Sequence, residues 1–305
     1  LPDRKIDSVT GMLDCKEVFK MRVGLHSAFH EESVNLAEFA AASEKLEFES
    51  LWLPEHVVIP VHPSVGPGGV VGAPIPNSYL QMVDPLIGLA IAASATENIL
   101  LGTGVCLIPE HHPIDLAKRV STLDFYSKGR VLFGIGAGWQ PEETIALGGD
   151  FPRRWAQTRE SVEVMKKLWT EDDPSHEGVY YSFPALKFCP RPFREPHPPI
   201  ILGGRSKYVF KRTASWGDGW APFMVTPGVV AAGRERLNVE CEKVNRDPEA
   251  VDITVFVNPD GELGVKGSME AYEQAGADRL VFIVGSRPSE NPYKSINEIA
   301  LEVTA

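Results

Sequence analysis

The sequence predicts an α/β protein, a (β/α)8 TIM barrel with insertions in its βα loops. Three observations predict it. Short apolar runs alternate with longer amphipathic ones, the pattern of βαβ units and a parallel sheet. The units number eight, which suggests closure into a barrel more than an open sheet. The 305-residue chain shows no internal repeat, low-complexity tract or domain linker, so residues 21–305 read as a single domain.

Each element has its own signal. Met21–Leu25 is the first expected strand. Ser33–Glu47 follows as a helix, with Ser33 as N-cap because a hydroxyl oxygen can accept from a free first-turn N–H. Glu49–Leu53 is the second strand. Residues 54–83 are rich in Gly and Pro and form a long loop. Asp84–Ala95 is helical, and Pro85 suits a first helical position that needs no N–H. Ile99–Leu107 is the third strand. Pro113–Tyr126 is a helix closed by Ser127–Lys128–Gly129. Val131–Ile135 is the fourth strand and runs into Gly136–Ala137–Gly138. Trp155–Trp169 is strongly amphipathic. Residues 171–198 are proline-rich and loop-like, with a hairpin expected around Val179–Phe188. Pro199–Leu202 is the fifth strand, before Gly203–Gly204 and a helix near Ser206–Trp216. Gly219–Pro222 is a short sixth strand and Val229–Asn245 a helix. Val251–Val257, the helix Lys266–Ala275, Arg279–Val284 and the closing helix Pro292–Val303 complete the order. Residues 1–20, mixed and charged, read as an N-terminal extension without a catalytic part.

Composition narrows the function. A chain that is 43% hydrophobic and 23% charged can bury a sizeable core. Its net charge of -11 argues against nucleic acid, which needs a basic face. A small anion remains compatible, held by Arg153–Arg154 or by Arg205 and Lys207. Cys15, Cys106, Cys189 and Cys241 are far apart and form no CxxC pair. No disulfide framework or zinc site is expected, and a reducing, cytoplasmic compartment is. Neither a signal peptide nor a membrane span is expected.

In such barrels the chemistry lies at the C-terminal ends of the strands. Strand two ends Pro54–Glu55–His56. An acid beside an imidazole gives a proton donor or a hydrogen-bond pair near neutral pH; a solvated loop pair is the plainer alternative. Strand three reads LGTGVCLIP and then Glu110–His111–His112. Glycine inside a strand marks a bulge or a close backbone approach. Side chains of neighbours in extended chain point apart, so the acid and the two histidines are not expected to share a metal. Cys106 reads as a small core side chain. Strand four gives GIGAGW, which lacks the GxGxxG dinucleotide spacing. Its glycines suit close approach to a flat ring, and Trp139 either walls a pocket or simply packs. Strand five ends Gly203–Gly204–Arg205–Ser206. A diglycine turn before a helix offers backbone N–H groups to an anion, although a tight turn explains the glycines equally.

The run LGTGVCLIPEHHPIDLAKRVSTLDFYSKGRVLFGIGAGW, with PPIILGG and WGDGW after it, resembles the luciferase-like monooxygenases and their deazaflavin-dependent relatives. The likeness extends from Met21 to about Val284 and is greatest to the F420-dependent oxidoreductases. It implies coenzyme F420, a deazaflavin with an oligoglutamate tail, and hydride transfer with a small organic substrate. An FMN-dependent monooxygenase is the alternative, and a non-catalytic flavin-binding protein a third reading. The resemblance further implies a non-prolyl cis peptide at Gly104–Val105, with Cys106 completing a bulge behind the ring. It puts His56, with Glu55, at the reactive face as proton donor or substrate orienter. Gly136, Ala137, Gly138 and Trp139 would line the ring, and Glu142 would bond a hydroxyl. Gly203, Gly204, Arg205 and Ser206 would take the phosphate, with Arg153, Arg154, Lys207 and Arg212 near the tail. Trp139 stands where F420-dependent glucose-6-phosphate dehydrogenases have a catalytic glutamate. A sugar phosphate is therefore not the expected substrate, and Val57–Val61 with Trp139 suggest a less polar one. The resemblance also implies a homodimer through an apolar helix face near the second and third units.

Overall fold

Runs rich in Val, Ile and Leu pair in parallel until the first strand meets the last. The computed structural model describes residues 21–29, 33–285 and 291–304; the expected extension over 1–20 lies outside them. In chain order the elements are β1 (Arg22–His26), α1 (Leu36–Lys45), β2 (Ser50–Leu53), α2 (Pro85–Ala95), β3 (Leu100–Thr103), β4 (Cys106–Leu107) and α3 (Pro113–Ser127). Next come β5 (Val131–Gly136), α4 (Pro141–Ala146), α5 (Arg154–Thr170), β6 (His176–Glu177), β7 (Ser182–Phe183), β8 (Ile200–Gly203) and α6 (Val209–Trp216). The chain continues with β9 (Gly219–Ala221), α7 (Pro227–Lys243), β10 (Asp252–Val257), α8 (Gly264–Gln274), β11 (Arg279–Ile283) and α9 (Pro292–Thr304).

Pairing runs β1, β2, β3, β5, β8, β9, β10, β11 and back to β1, with β4 continuing the β3 position beside β5. This is the closed eight-stranded barrel that the sequence predicts. The small antiparallel pair β6–β7 sits in the long loop before β8 and bonds in the register His176 to Phe183, a few residues earlier than the expected hairpin.

Several boundaries differ from expectation. The third strand is not continuous: pairing stops after Thr103 and resumes at Cys106, and the Gly104–Val105 peptide between them is cis. Ser33 does not cap α1. The helix begins later, and the Asn35 side chain accepts from the Glu38 N–H. Near Ser206 the chain makes a turn, and α6 starts only at Val209. Strand six stops at Ala221, before Pro222. The short α4 is an element that periodicity did not reveal; six residues are too few to establish a repeat.

The core has two layers. Large apolar side chains of helices and strand outer faces fill the space around the barrel. Inside it stack Trp52, Leu132, Ile201, Ala221, Phe256 and Val281. At the N-terminal end of the strands, Arg279 is 1% exposed and forks onto Glu49 at 2.8 and 2.7 Å, with Thr254 Oγ1 at 2.8 Å. A buried guanidinium needs such complete pairing. This end is closed, which leaves the opposite end for ligands. Among the described residues Cys106, Cys189 and Cys241 are free thiols, and no helix is long and apolar enough to cross a membrane.

Candidate active site

The site grows from the interruption between β3 and β4. Leu53 O, at the end of β2, accepts from Gly104 N at 2.7 Å. His26, at the end of β1, donates from Nε2 to Gly104 O at 3.2 Å. Burial holds the His26 imidazole down to about 4, against the pull of that carbonyl, so the ring is neutral. The Val105 side chain emerges between two glycines. A Cβ on Gly136 would stand 2.8 Å from Val105 Cγ2, and one on Gly203 would stand 3.2 Å from Cγ1. Only glycine leaves both walls flat around that bulge.

On one side of this floor lies His56. Its Nδ1 stands 2.7 Å from Glu143 Oε2. In the tautomer that carries its hydrogen on Nδ1, the ring donates to this carboxyl oxygen. Glu143 Oε1 accepts from Val57 N at 2.8 Å and Val58 N at 3.2 Å. One buried carboxylate therefore both orients the imidazole and ties down the start of the long loop. Nε2 of His56 has no hydrogen-bond partner among the described residues. Two rings flank it: Tyr79 at 5.1 Å and Trp139 at 5.1 Å between centroids.

Glu55 turns away from its neighbour His56. Its Oε2 accepts from Leu107 N at 2.5 Å, and its Oε1 lies 3.0 Å from His111 Nε2. Burial opposes its charge, but His111, the Leu107 N–H and Cys106 outweigh burial and keep the carboxyl below its ordinary range. It braces β4 from behind. The Cys106 thiol is pushed well up by burial and then by the Glu55 charge, in keeping with a core role. Glu55, Cys106 and His111 bring donor atoms within 4.8 Å of one another. Those atoms are already engaged, since His111 Nδ1 also meets Arg119 Nη2 at 3.0 Å. Glu110 and His112 go elsewhere: Glu110 Oε1 takes the Thr144 hydroxyl at 3.1 Å, and His112 Nδ1 accepts from Ile114 N at 3.3 Å. Glu142 accepts from Ser64 N at 3.2 Å and anchors the same long loop at a second point.

The other side of the floor is basic. Gly138 has φ 76, and Arg154 Nε donates to its carbonyl at 3.1 Å. Arg212 lies over the Trp155 ring at 4.2 Å, and its Nη1 is buried without a partner. Burial and then the like charge of Arg154 lower the Arg212 pKa. Neither guanidinium makes an ion pair with a carboxylate of a described residue. Gly204 has φ 118, a backbone that favours glycine, and its carbonyl accepts from Trp220 Nε1 at 2.9 Å. Gly203 is buried, whereas Gly204, Arg205, Ser206 and Lys207 are exposed on this turn. Ala137 is buried behind the strand-four end. Arg153 points outward and pairs with Asp150 at 2.8 Å, apart from Arg154.

Val105 thus packs between Gly136 and Gly203, while His56 meets Trp139 at the turn after β5. Sequence reasoning missed Glu143, His26 and Tyr79, and weighed Glu110 only as a metal ligand. His26 ends β1 and Tyr79 lies in the loop after β2, whereas Glu143 sits in the short α4. The model of the family described as luciferase-like monooxygenase matches residues 21–259.

The chain belongs to the luciferase-like monooxygenase family. An uncharacterized protein of Mycobacterium tuberculosis is 35% identical over 304 residues, covering 93% of this chain and 99% of that one. The F420-dependent glucose-6-phosphate dehydrogenase of Kineococcus radiotolerans is 32% identical over 190 residues, covering 61% of this chain and only 51% of that enzyme. The oxygenating constituent of a diketocamphane monooxygenase from Pseudomonas putida, solved with FMN, shares the fold with a TM-score of 0.61 and 19% identity, over 78% of this luciferase-like chain and 67% of that one. Relatives of this chain therefore use F420 or flavin.

Proposed function

We propose that the chain is an F420-dependent oxidoreductase that transfers hydride between the deazaflavin and a small organic substrate. The single observation that carries this reading is the pair Arg154 and Arg212. Two like charges sit near the diglycine turn, one with a buried, unpartnered N–H, and no carboxylate of a described residue pairs with them. An anionic ligand is the partner such a pair suits. The flat floor between Gly136 and Gly203 suits a planar ring. A phosphorylated ring ligand therefore fits the residues present. Gly203, Gly204, Arg205 and Ser206 would hold its phosphate, with Arg154, Arg212 and Lys207 toward an acidic tail. Val105, Cys106, Gly136, Ala137 and Gly138 would back the ring.

The bound deazaflavin supplies or accepts a hydride. The protein's own part is placement and proton handling. His56, with Nδ1 held by Glu143, presents Nε2 to the substrate and gives or takes the accompanying proton. Glu55 acts only through the floor it braces. FMN would use the same floor and phosphate turn, so the cofactor is tested directly. Fluorescence titration of the purified protein with F420 and with FMN is expected to give tighter binding of F420. Binding of FMN alone would move the reading to a flavin monooxygenase. His56→Ala is expected to lower kcat by about 100-fold, with cofactor affinity unchanged. Turnover equal to wild type would reject the role of His56, and a bound cofactor that never turns over would leave a carrier. We further propose that the protein acts as a homodimer.

A further inference from the structure

The strand that carries the floor is too short to hold itself in place. β4 has two residues, and among the described residues its ladder runs to β5 alone, with Cys106 opposite Ile135 and Leu107 opposite Gly136. β2 pairs with β3 only as far as Leu53 and does not reach β4. A buried backbone N–H on such an edge needs an acceptor from elsewhere. For Leu107 the acceptor is a side chain: Glu55, just past the end of β2, brings Oε2 to 2.5 Å from the amide nitrogen. One carboxylate thus takes the place of a missing strand.

Glu55 keeps that position only while its second oxygen is also held. Oε1 lies 3.0 Å from His111 Nε2, and both side chains are almost wholly buried. On the far side of the imidazole, His111 Nδ1 meets Arg119 Nη2 at 3.0 Å. A guanidinium carries donors and no acceptor, so Nδ1 accepts and the ring hydrogen sits on Nε2, from which it is donated to Glu55. Arg119, on α3, is held in turn by Asp115 at 3.0 Å and Asp84 at 3.8 Å. The direction of every hydrogen bond from Arg119 to Leu107 is thereby fixed.

The floor is sensitive to where β4 stands. Val105 directly precedes Cys106, and its methyl groups fill the space that a Cβ on Gly136 or Gly203 would need, 2.8 and 3.2 Å away. Packing that close transmits a small displacement instead of absorbing it. We propose that His111 and Arg119 are positioning residues for this floor: Arg119 fixes which imidazole nitrogen carries the hydrogen, and that hydrogen holds Glu55 on the Leu107 amide, which sets β4 and Val105 against the two glycines. This rests on the reading of the floor as the seat of a planar F420 or flavin ring, and it adds what keeps the seat in place. Both residues act through Glu55, so their loss alters how the cofactor binds and not how His56 handles the proton.

Three variants separate hydrogen-bond polarity from bulk. His111→Leu fills the space without a polar atom, and Arg119→Leu removes the outer donor. His111→Gln offers an amide N–H to Glu55 and an amide oxygen to Arg119, the same polarity as the imidazole. Arg119 is partly exposed, so its variant carries the test should His111→Leu fail to fold. Two readouts are taken on the full chain: hydrogen exchange at the Leu107 amide without cofactor, and F420 affinity by fluorescence titration. The two Leu variants are each expected to speed that exchange about tenfold and to weaken F420 about tenfold, roughly 1.4 kcal/mol. His111→Gln is expected to stay within about twofold of wild type in both. In turnover the Leu variants raise KM for F420 while kcat at saturating cofactor stays near wild type. Imidazole nitrogen NMR of the wild type is expected to find the His111 hydrogen on Nε2. A hydrogen on Nδ1 instead, or a Gln variant as impaired as the Leu variant, overturns the proposal. Leu variants that exchange and bind F420 like wild type also overturn it and leave the cofactor reading intact. A wild type that binds neither F420 nor FMN, with Leu107 exchange still set by His111 and Arg119, supports the hold on β4 and overturns the cofactor reading.

Discussion

Glu110 is a carboxyl buried with no cation beside it. Its Oε1 meets the Thr144 hydroxyl, and its Oε2 is buried without a partner. Burial first, and the nearby Glu143 carboxylate second, push its pKa up to about 9. The unfolded chain gives up this proton near the ordinary value of 4.5, whereas the folded chain keeps it to about 9. Between those values the folded state binds more protons, so stability falls as pH rises through the window and is fully present below it. Glu110→Gln removes the proton that must be lost. The variant is expected to melt several degrees above wild type at about pH 9, with the two curves meeting toward about pH 4.5. Melting curves that run parallel across the whole range would show Glu110 to be ionised already at neutral pH. His56 and Glu143 differ from each other in how far the sequence exposes them. The strand-end position of PEHV makes His56 visible. Glu142 and Glu143 both lie in the first turn of α4, and neighbours in a helix point about 100° apart. Which of them faces the imidazole depends on where α4 sits over β2, and no local pattern encodes that. Glu55 illustrates the converse. It is adjacent to His56 in sequence yet opposite in direction, as alternation in extended chain requires.

At the scale of elements, the barrel's outer joints are held by side chains that cap helix ends. Arg130, just before β5, donates to Ala93 O and Thr96 O at the end of α2, to Ile99 O before β3, and to Ser127 O at the end of α3. Those last-turn carbonyls have no partner within their own helices. Arg130 is buried, and burial lowers its pKa against the pull of Glu44 and Glu97, while the carbonyls and the Thr96 hydroxyl take its N–H groups. Arg130→Ala leaves several of these acceptors unsatisfied and is expected to cost about 3 kcal/mol in urea unfolding, with the slope unchanged. Arg130→Lys recovers only part of it, since an ammonium lacks the planar fork. A midpoint for the Ala variant equal to wild type would show that water replaces the guanidinium at no cost. Strand and helix order was legible because the period of two or 3.6 is written into each run. The break at Gly104 was legible only as a glycine in a strand and through family resemblance. The cap of α1 was not: Ser33 and Asn35 are both capping types, and the packing of the helix on the barrel selects Asn35. Tyr79 was hidden for a related reason, because a loop without periodicity carries no code for which of its side chains folds back into the mouth.

The whole molecule divides its work between two ends and one flank. Arg279 and Glu49 close the base, the mouth carries His56 and the basic pair, and the flank formed by α2 and α3 exposes Ile87, Ile91, Phe125 and Tyr126. The helix α2, PLIGLAIAASA, contains no charge and is apolar on all sides. Leu86, Leu89 and Ala92 face the core, yet Ile87 is 65% exposed and Tyr126 on α3 is 77% exposed. A groove of about 640 Å³ runs between the two helices, lined by Ile87, Ala90, Leu123 and Tyr126 and, on the α3 side, by Lys118 and Arg119. A helix apolar on every face is ordinarily covered on every face. In the homodimer proposed above, a second copy would supply the cover most economically, because a two-fold axis would set the same patch against itself. Charge favours this flank as the place of contact. Two chains of net charge -11 repel, and a patch around an uncharged helix would let them meet where the repulsion is least. Ile87→Glu would set two carboxylates into that contact. Light scattering is expected to give a dimer for wild type and a monomer for the variant. F420 affinity should be retained, because α2 lies on the outside of the barrel wall, away from the strand ends. A wild-type monomer at micromolar concentration, or a variant that stays dimeric, would place the association elsewhere. Loss of F420 binding together with the dimer would instead mean that the flank holds the mouth in shape.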